Sequence, residues 1–317
     1  MNEFDVIDRI RAMLPRAPEG VILPINDDCA VFEVGGERWV AAADMLVSSH
    51  HFRDEWSTPE DVGYKAVATN ISDVAAMGAR PRFVLTSGGA PEPEIALRCF
   101  EGVAEACREF GVYPLGGDTT KSETLVVNVA ILGSLDCGRF VARSGAKPGD
   151  LIAVSGELGA AAAGLLALEQ GLEGYERLKN RHLRPEPRVE VGLEAARLGA
   201  TAMIDISDGL TSDVRHIAHQ SGVGCRIDLK LLPVAKDVRE LANLLEEDPQ
   251  RLAATGGDDY ELLICASSNV IEQLRRFAGV PITIIGEVVE ESEGITFSDN
   301  GEEVSELSGW DHFGCGR

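Results

Sequence analysis

The chain has 317 residues, a hydrophobic fraction of 44% and a formal net charge of −23. This length and composition indicate a globular protein with room for two domains, and they exclude a fibrous or disordered chain. The negative charge would repel nucleic acid and anionic membranes, and no apolar run reaches the roughly 18 residues that a membrane span needs. We therefore expect a cytoplasmic protein without nucleic-acid or membrane partners.

The first half of the chain is predicted to run as helix, strands, helix and strands. The clearest boundary is a helix start, where Thr58 offers an N-cap hydroxyl, Pro59 takes the first helical position and Asp61 the third. Gly78 and Pro81 end this helix. The other predicted elements are helices over 5–14 and 92–110 and strands over 21–32, 39–48, 82–88, 112–115 and 124–135.

A polar, turn-rich segment over 144–150 separates the two halves and predicts a domain boundary there, with domains at 1–143 and 144–317. Beyond it, strands alternate with helices, and Asn300-Gly301 marks a hairpin. The predicted strands are 151–155, 202–206, 225–229, 260–266 and 282–288, and the helices are an Ala-rich segment after 155 and residues 210–219, 238–245 and 270–277. This order of elements predicts a two-domain α/β or α+β enzyme.

Several aspartates lie in or next to apolar stretches, where a role in keeping the protein soluble does not explain them. Asp44 interrupts the apolar run 40–47, Asp118 follows the strand that ends at Leu115, and Asp205 lies inside an apolar stretch. Any one of them is readily explained as a cap or turn residue, but a carboxylate among apolar side chains is costly unless it is paired or binds metal. The full set is Asp27, Asp28, Asp44, Asp73, Asp118, Asp205 and Asp208.

The donor atoms of this set indicate the kind of metal. Oxygen ligands from several chain segments suit a hard cation such as Mg²⁺. The seven cysteines form no CxxC pair, and no histidine spacing suggests a site for zinc or iron.

Glycine-rich segments give little support for a phosphate-binding loop. The chain has neither a GxxxxGK[ST] motif nor the GxGxxGxV motif of protein kinases. The segment 155–159, Ser-Gly-Glu-Leu-Gly, is a weak match that is more often a tight strand-to-helix turn. If ATP binds, metal ions and backbone N–H groups must therefore take the role that a loop lysine has elsewhere.

At these residues the chain resembles the thiamine-monophosphate kinase family, over almost its whole length. The superfamily also holds aminoimidazole ribonucleotide synthetase, selenophosphate synthetase and a hydrogenase-maturation ATPase. Several of the motifs are weak singly, but their order and joint presence are specific. They lie at 26–30, 44–52, 64–66, 70–79, 116–120, 143–150, 182–185, 205–210, 256–262 and 309–313.

The resemblance implies a synthetase-like fold in which residues 1–143 bind ATP and metal and form a β-barrel shared across a homodimer. It implies phosphorylation of thiamine monophosphate to thiamine diphosphate, with ATP and Mg²⁺ as cofactors and K⁺ as an accessory cation. Because the acceptor is already an anionic phosphate, we expect direct in-line transfer without a general base.

The resemblance also assigns roles to individual residues, and some residues have more than one role. The implied metal ligands are Asp28, Asp44, Asp73, Asp118, Asp205 and Asp208, and catalytic roles fall on Asp44, Asp73, Asp118 and Asp208. The implied ATP contacts are Gly117, Asp118, Arg143 and Ser207, and the implied substrate contacts are His51, Asp258 and Trp310.

The chain departs from the family pattern at three places. Asn26 stands where the family usually has Gly, Ala42-Ala43 stand before Asp44 where it has hydroxyl residues, and Asp258 replaces a usual Glu. Hydroxyl ligation next to Asp44 is thereby lost, so a metal there would have to use backbone carbonyl groups. Asp258 reaches one methylene less far than the usual Glu.

Other functions remain as alternatives at this stage. A selenophosphate synthetase would need a reactive Cys in a Gly-rich N-terminal segment, which is absent, and a hydrogenase-maturation protein would end in Cys, whereas Cys315 is followed by Gly316-Arg317. A non-catalytic nucleotide-binding regulator would not need so many costly carboxylates.

Overall fold

The computed structural model describes residues 3–304, 307 and 309, and its first half is built on a six-stranded sheet. The strand order is β1-β2-β3-β6-β4-β5, and the β4–β5 pair is parallel while the other pairs are antiparallel. The elements are α1 (Glu3–Met13), β1 (Val21–Leu23), β2 (Ala30–Val34), β3 (Glu37–Val47), α2 (Pro59–Ala76), β4 (Arg80–Ala90), α3 (Pro93–Phe110), β5 (Tyr113–Lys121) and β6 (Val126–Ser134).

The second half is built on a seven-stranded sheet of order β13-β12-β9-β11-β7-β10-β8. Its pairs are antiparallel except β9–β12, so the half is α+β and not a parallel doubly wound sheet. The elements are β7 (Leu151–Ser155), α4 (Ala160–Glu169), α5 (Glu176–Leu183), α6 (Val189–Leu198), β8 (Ala202–Asp205), α7 (Leu210–Ser221), β9 (Gly224–Asp228), α8 (Lys236–Leu244), α9 (Pro249–Thr255), β10 (Leu262–Ala266), α10 (Ser268–Phe277), β11 (Ile282–Val289), β12 (Ile295–Asp299) and β13 (Glu302–Glu303).

Most of the predicted elements are confirmed, and the start of α2 is confirmed in atomic detail. The Thr58 hydroxyl accepts a hydrogen bond from the Asp61 backbone N–H at 3.2 Å, and the Asp61 carboxylate accepts one from the Thr58 N–H at 3.3 Å. This reciprocal capping satisfies two backbone donors at the helix end. The hairpin at Asn300-Gly301 is also confirmed, since both residues have positive φ and join the paired strands β12 and β13.

Three predictions of secondary structure were wrong or incomplete. The strand predicted over 21–32 is two strands, because Pro24 and the polar residues up to Asp28 form a loop between β1 and β2. The strand predicted over 112–115 continues to Lys121, because its glycines pair in parallel with β4, so Asp118 lies within β5 and not after it. Helices α5, α6 and α9 were not predicted.

Helix α2 is the central element of the molecule. All of its residues are buried except the first three and Asp73. It packs against α3 and the first sheet on one side and against α6 and β8 of the second half on the other. Two glycines allow close approach of its neighbours: a Cβ on Gly63 would lie 1.9 Å from the Cys99 carbonyl oxygen, and a Cβ on Gly192 would lie 2.0 Å from the Ala75 carbonyl oxygen.

Replacing Gly63 should therefore weaken the contact between α2 and α3. We expect Gly63→Ala to lower the free energy of unfolding by about 1–3 kcal/mol, because the added methyl group forces the two helix backbones apart. Urea unfolding measures the loss. Glu101→Ala, at an exposed position of α3, is the matched control and should change stability by less than about 0.5 kcal/mol. Equal stability of Gly63→Ala and wild type would contradict the packing described for α2.

Candidate active site

Three carboxylates from three separate segments meet between the two halves. Asp28 lies in the loop before β2, Asp73 lies near the end of α2, and Asp205 is the last residue of β8. One oxygen atom of each lies within 4.8 Å of the others. We call these three residues the oxygen cluster. The predicted convergence of Asp28, Asp73 and Asp205 is thus seen in the structure.

Few protein groups neutralise the oxygen cluster. The Arg143 Nε donates to Asp28 Oδ1 at 3.0 Å, with a second contact from Nη2, and the Arg143 backbone N–H donates to Asp27 Oδ2 at 3.1 Å. The Ser72 hydroxyl donates to Asp205 Oδ2 at 2.6 Å. Asp28 Oδ2 is buried and has no hydrogen-bond partner among the described residues. One oxygen atom of this carboxylate is therefore held and the other is open to a ligand.

Burial and mutual repulsion shift the pKa values of the oxygen cluster upward. Burial first, and then the charge of Asp28, raises the pKa of Asp205 to about 8. Burial and the charges of Asp44, Asp205 and Asp28 raise the pKa of Asp73 well above its usual value, and burial raises that of Asp28 despite the Arg143 guanidinium. Neutralisation by a bound cation would favour the ionised forms. Three carboxylates with one unpartnered oxygen fit a hard divalent cation such as Mg²⁺.

Asp44 and Asp118 do not join the oxygen cluster within the described chain. Asp44 is exposed on β3, so the prediction that it lies among buried side chains was wrong. It is on the same face of the strand as the buried Val40 and Leu46, but the elements that cover those two residues leave Asp44 accessible. Its charge nevertheless acts on Asp73, and its backbone N–H donates to Asn70 Oδ1 at 3.1 Å. Asp118 and Gly117 are exposed on the edge strand β5, and Asp118 Oδ1 accepts from the Thr119 N–H at 2.9 Å.

Asp208 belongs to a different group from the oxygen cluster. It lies between β8 and α7, and its carboxylate clusters with Asp213 and His216 of α7. Ser207, an implied ATP contact, lies next to Asp208 in the chain, and its carbonyl oxygen accepts a hydrogen bond from the Asp258 N–H at 2.8 Å. The segment after β8 thus connects the oxygen cluster to the segment that carries Asp258.

Asp258 lies in a charged network of its own. Its Oδ2 is 2.8 Å from Lys65 Nζ on α2 and 3.6 Å from His182 Nδ1, and its Oδ1 accepts from the Tyr260 hydroxyl at 2.9 Å. Burial alone would raise the pKa of Asp258, but the charge of Lys65 and the hydrogen bonds lower it below the usual value. Burial lowers the pKa of His182 to about 3, so this imidazole is neutral near pH 7.

The other two implied substrate contacts are His51 and Trp310. His51 is partly buried, and its Nδ1 accepts from the Val47 N–H at 3.1 Å. Its neighbour Phe52 lines a small recess together with Lys65 and His182, the two residues that contact the Asp258 carboxylate. Trp310 lies outside the described residues.

Comparison with known proteins agrees with the resemblance in the motifs. Residues 26–135 match the model of the AIR synthase related protein, N-terminal domain, and residues 147–298 match that of the C-terminal domain. A thiamine-monophosphate kinase from Mycobacterium tuberculosis is 40% identical over 99% of this chain and 92% of its own length. One from Escherichia coli K12 is 37% identical over 98% of both chains. This chain belongs to the thiamine-monophosphate kinase family.

The fold comparison supports the same assignment. The solved structure described as "AaThiL complexed with AMPPCP and TMP" superposes with a TM-score of 0.87 at 33% identity, covering 98% of this chain and 97% of the other. The two-domain AIR synthase-like architecture of the family is therefore the architecture of this chain. No helix in the described part of the chain is long and apolar enough to cross a membrane.

Two of the three departures from the family pattern, Asn26 and Asp258, adopt positive φ values in the structure. Asn26 has a φ of 115°, a conformation that Gly would adopt more easily. Asp258, the shorter substitute for Glu, has a φ of 66°. A non-Gly residue in this region is strained and persists where surrounding contacts hold it. The contacts to Lys65 and Tyr260 do so here.

The weak phosphate-loop match at 155–159 is a structural turn. The Gly159 and Ala161 N–H groups at the start of α4 donate to the Asp259 carboxylate at 2.7 and 3.1 Å. An internal carboxylate already occupies the donors that a phosphate would need. Burial raises the pKa of Asp259 to about 7 despite these hydrogen bonds.

Sequence reasoning gave no role to several residues that contact the site. Lys65, Asn70 and Ser72 were part of recognised motifs, yet each makes a contact that orders a site carboxylate or its backbone. Part of this signal was readable, because Lys65 and Ser72 are seven residues, or about two turns, apart and so share one side of an otherwise apolar helix. Asn70 lies on another side of α2. Asp213 and His216 were missed as well, although a spacing of three residues places them on one side of α7.

Removing Lys65 should destabilise the protein in a pH-dependent way. Lys65→Met leaves the partly exposed Asp258 charge without its main partner, so we expect a loss of about 1–3 kcal/mol near pH 8. The lowered pKa of Asp258 in the wild type contributes stability above the unfolded pKa of about 3.8 and loses it below. In the variant the Asp258 pKa rises, so protonation relieves the unpaired charge and the loss should be smaller at pH 5.

Urea unfolding at both pH values measures this difference. The double variant Lys65→Met/Asp258→Asn is the control and should recover part of the loss, since it removes both charges. A loss that is the same at pH 5 and pH 8 and is not reduced in the double variant would show that Lys65 stabilises only by packing.

Proposed function

We propose that this chain transfers the γ-phosphoryl group of ATP to thiamine monophosphate, forming thiamine diphosphate in thiamine diphosphate biosynthesis. The observation that carries the proposal is the oxygen cluster, which lies between the two halves of the chain and has few protein cations to neutralise it. Asp28 and Asp205 are buried, and Asp73 is partly exposed. The fold neighbour that is complexed with AMPPCP, an ATP analogue, and TMP supports the choice of substrates. The family membership supports the same reaction.

The oxygen cluster is suited to hold Mg²⁺. Asp28, Asp73 and Asp205 would be its ligands, with Asp44, Asp118 and Asp208 as further ligands when nucleotide is bound. Bound Mg²⁺ supplies positive charge against which the phosphates of two polyanions can be aligned. Arg143 fixes one oxygen atom of Asp28 and leaves the other for the metal. K⁺ is the proposed accessory cation.

The remaining residues divide between the two substrates. Gly117, Asp118, Arg143 and Ser207 are the proposed contacts to ATP. His51, Asp258 and Trp310 are the proposed contacts to thiamine monophosphate, with Lys65 keeping Asp258 ionised and in place. The acceptor phosphate is itself anionic near pH 7, so the protein has no proton to remove before transfer.

We propose a homodimer in which the first sheets of two copies meet, with domains at 1–143 and 144–317. Large apolar side chains are exposed on three strands of this sheet: Met45 on β3, Leu85 on β4, and Tyr113 and Leu115 on β5. Exposed apolar patches on an open sheet favour association. Asp118 is on the same face of the sheet as Met45 and Leu85 and would lie near such an interface, whereas Asp44 is on the opposite face.

The direct test is ADP release with thiamine monophosphate as acceptor. The wild type should release ADP with this acceptor, and not with aminoimidazole ribonucleotide precursors, and EDTA should abolish the activity. Asp73→Asn should lower kcat by about 10²-fold or more, as loss of a charge that supports the transition state would. Asp248→Asn, which retains an N-cap at an exposed site, is the control and should be fully active.

Two results would refute this reaction. One is ADP release that does not require thiamine monophosphate, and the other is full activity in EDTA. Wild-type kcat in a folded Asp73→Asn variant would instead remove the oxygen cluster from the mechanism.

The stereochemical course tests the direct route separately. A single in-line displacement inverts the configuration at phosphorus, so ATP with an isotopically chiral γ-phosphate should give thiamine diphosphate of inverted configuration. Phosphorus NMR of the product after stereochemical analysis reads the outcome. Net retention would mean two displacements and a phosphorylated protein intermediate.

A further inference from the structure

We propose that Lys65 and Tyr260 are positioning residues, which fix the Asp258 carboxylate so that it accepts a hydrogen bond from the amino group on the pyrimidine ring of the substrate. This inference rests on the proposed function and names the part of the substrate that Asp258 recognises. The Lys65 Nζ is 2.8 Å from Asp258 Oδ2, and the Tyr260 hydroxyl donates to Asp258 Oδ1 at 2.9 Å. Each oxygen atom of the carboxylate is therefore held by one side chain.

Burial differs between Asp258 and these two partners. The Lys65 side chain is 5% exposed and Tyr260 is 7% exposed, whereas the Asp258 side chain is 32% exposed. A carboxylate has about four acceptor positions, of which the two partners take two. The carboxylate is thus held from its buried side, and acceptor positions remain on the side that a ligand can reach.

The backbone that carries Asp258 has an uncommon conformation. Asp258 and Tyr260 have φ values of 66° and 51°, and the Asp259 carboxylate between them accepts from the N–H groups at the start of α4. The N–H groups of Asp258 and Tyr260 donate to the carbonyl oxygens of Ser207 and Ile206 at 2.8 and 2.9 Å. Backbone strain that is held by so many contacts is typical of segments that bind a ligand.

The charge of Asp258 decides which group of the substrate it can bind. Burial raises its pKa, but Lys65 and the hydrogen bonds lower it below the usual value, so the carboxylate is ionised near pH 7 and can only accept hydrogen bonds. Burial, and then the charge of Lys65, lowers the pKa of His182 to about 3, so this neighbour adds no positive charge near pH 7. The two rings of thiamine monophosphate carry a single N–H donor group, the amino group of the pyrimidine. This group is the donor that Asp258 can bind.

Helix α2 sets the distance between Asp258 and the oxygen cluster. Lys65 contacts Asp258, and Ser72, on the same side of the helix, donates to Asp205 at 2.6 Å. Seven residues of an α-helix span about 10 Å. In thiamine monophosphate, two rings and a two-carbon arm separate the amino group from the phosphate, which is a span of similar size. A substrate with its amino group at Asp258 can therefore direct its phosphate to the oxygen cluster.

A comparison of two acceptors tests the inference. The second acceptor is the analogue of thiamine monophosphate in which hydrogen replaces the amino group. In the wild type, kcat/KM should be about 10- to 100-fold higher for thiamine monophosphate, since the analogue lacks one hydrogen bond to a charged acceptor. Lys65→Met should bring the two values to within about threefold of each other, because a carboxylate that can turn no longer points at the amino group. Tyr260→Phe should lower the ratio in part, and the KM for ATP should stay unchanged in both variants.

The ratio of the two kcat/KM values separates positioning from a loss of folding. A variant that is only destabilised loses activity toward both acceptors alike, because the folded fraction cancels in the ratio. Lys236→Met changes a lysine of α8 whose side chain is 90% exposed, and it should keep the wild-type ratio. Both acceptors carry the cationic thiazolium ring, so an attraction between that ring and Asp258 does not contribute to the ratio.

Two outcomes would overturn the inference while leaving phosphoryl transfer intact. In one, the wild type phosphorylates both acceptors equally well. In the other, the wild type prefers thiamine monophosphate, but Lys65→Met and Tyr260→Phe both keep the wild-type ratio. If neither acceptor is phosphorylated, the proposed function fails and this inference fails with it.

Discussion

The burial of helix α2 between the two halves is the constraint on which the site depends. A helix that is enclosed on nearly all sides must satisfy each polar side chain that it carries, because water does not reach them. Lys65 pairs with Asp258, Asn70 accepts from the Asp44 N–H, and Ser72 donates to Asp205. Each of these contacts joins α2 to a different segment of the chain. Correct folding of the helix therefore places the site carboxylates at the same time.

The oxygen cluster has fewer positive than negative groups around it. A single guanidinium, that of Arg143, serves Asp28, while Asp73 and Asp205 have no cationic partner at hydrogen-bonding distance among the described residues. The folding free energy must cover this repulsion when no cation is bound. A binding site that is strained in this way gains affinity for a cation from the relief of repulsion, as well as from the ligand bonds themselves.

Sequence reasoning succeeded where a local pattern carried the information. The capping residues at the start of α2 and the Asn-Gly hairpin were readable from a few neighbouring residues, and the cost of a carboxylate in an apolar stretch identified Asp205. It failed where the answer depends on a distant partner. The length of β5, and with it the place of Asp118, is set by pairing with β4. The exposure of Asp44 depends on how far the distant elements extend over the covered face of β3, which the residues around Asp44 do not reveal. The role of Lys65 depends on Asp258, 193 residues away along the chain.

The ion pairs of the arginines explain why this protein would need metal ions to bind phosphate groups. Its net charge is −23, and the arginines near the site are committed to carboxylates of the protein itself. Arg181 and Arg188 both contact the fully buried Glu261, and Arg184 contacts Asp61 and Glu105. If Arg181 or Arg188 turned away to bind a phosphate, the buried Glu261 carboxylate would lose one of its two cationic partners, which is costly. Most of the positive charge for the phosphates would then come from bound cations, and the oxygen cluster is a place where the described residues can hold them.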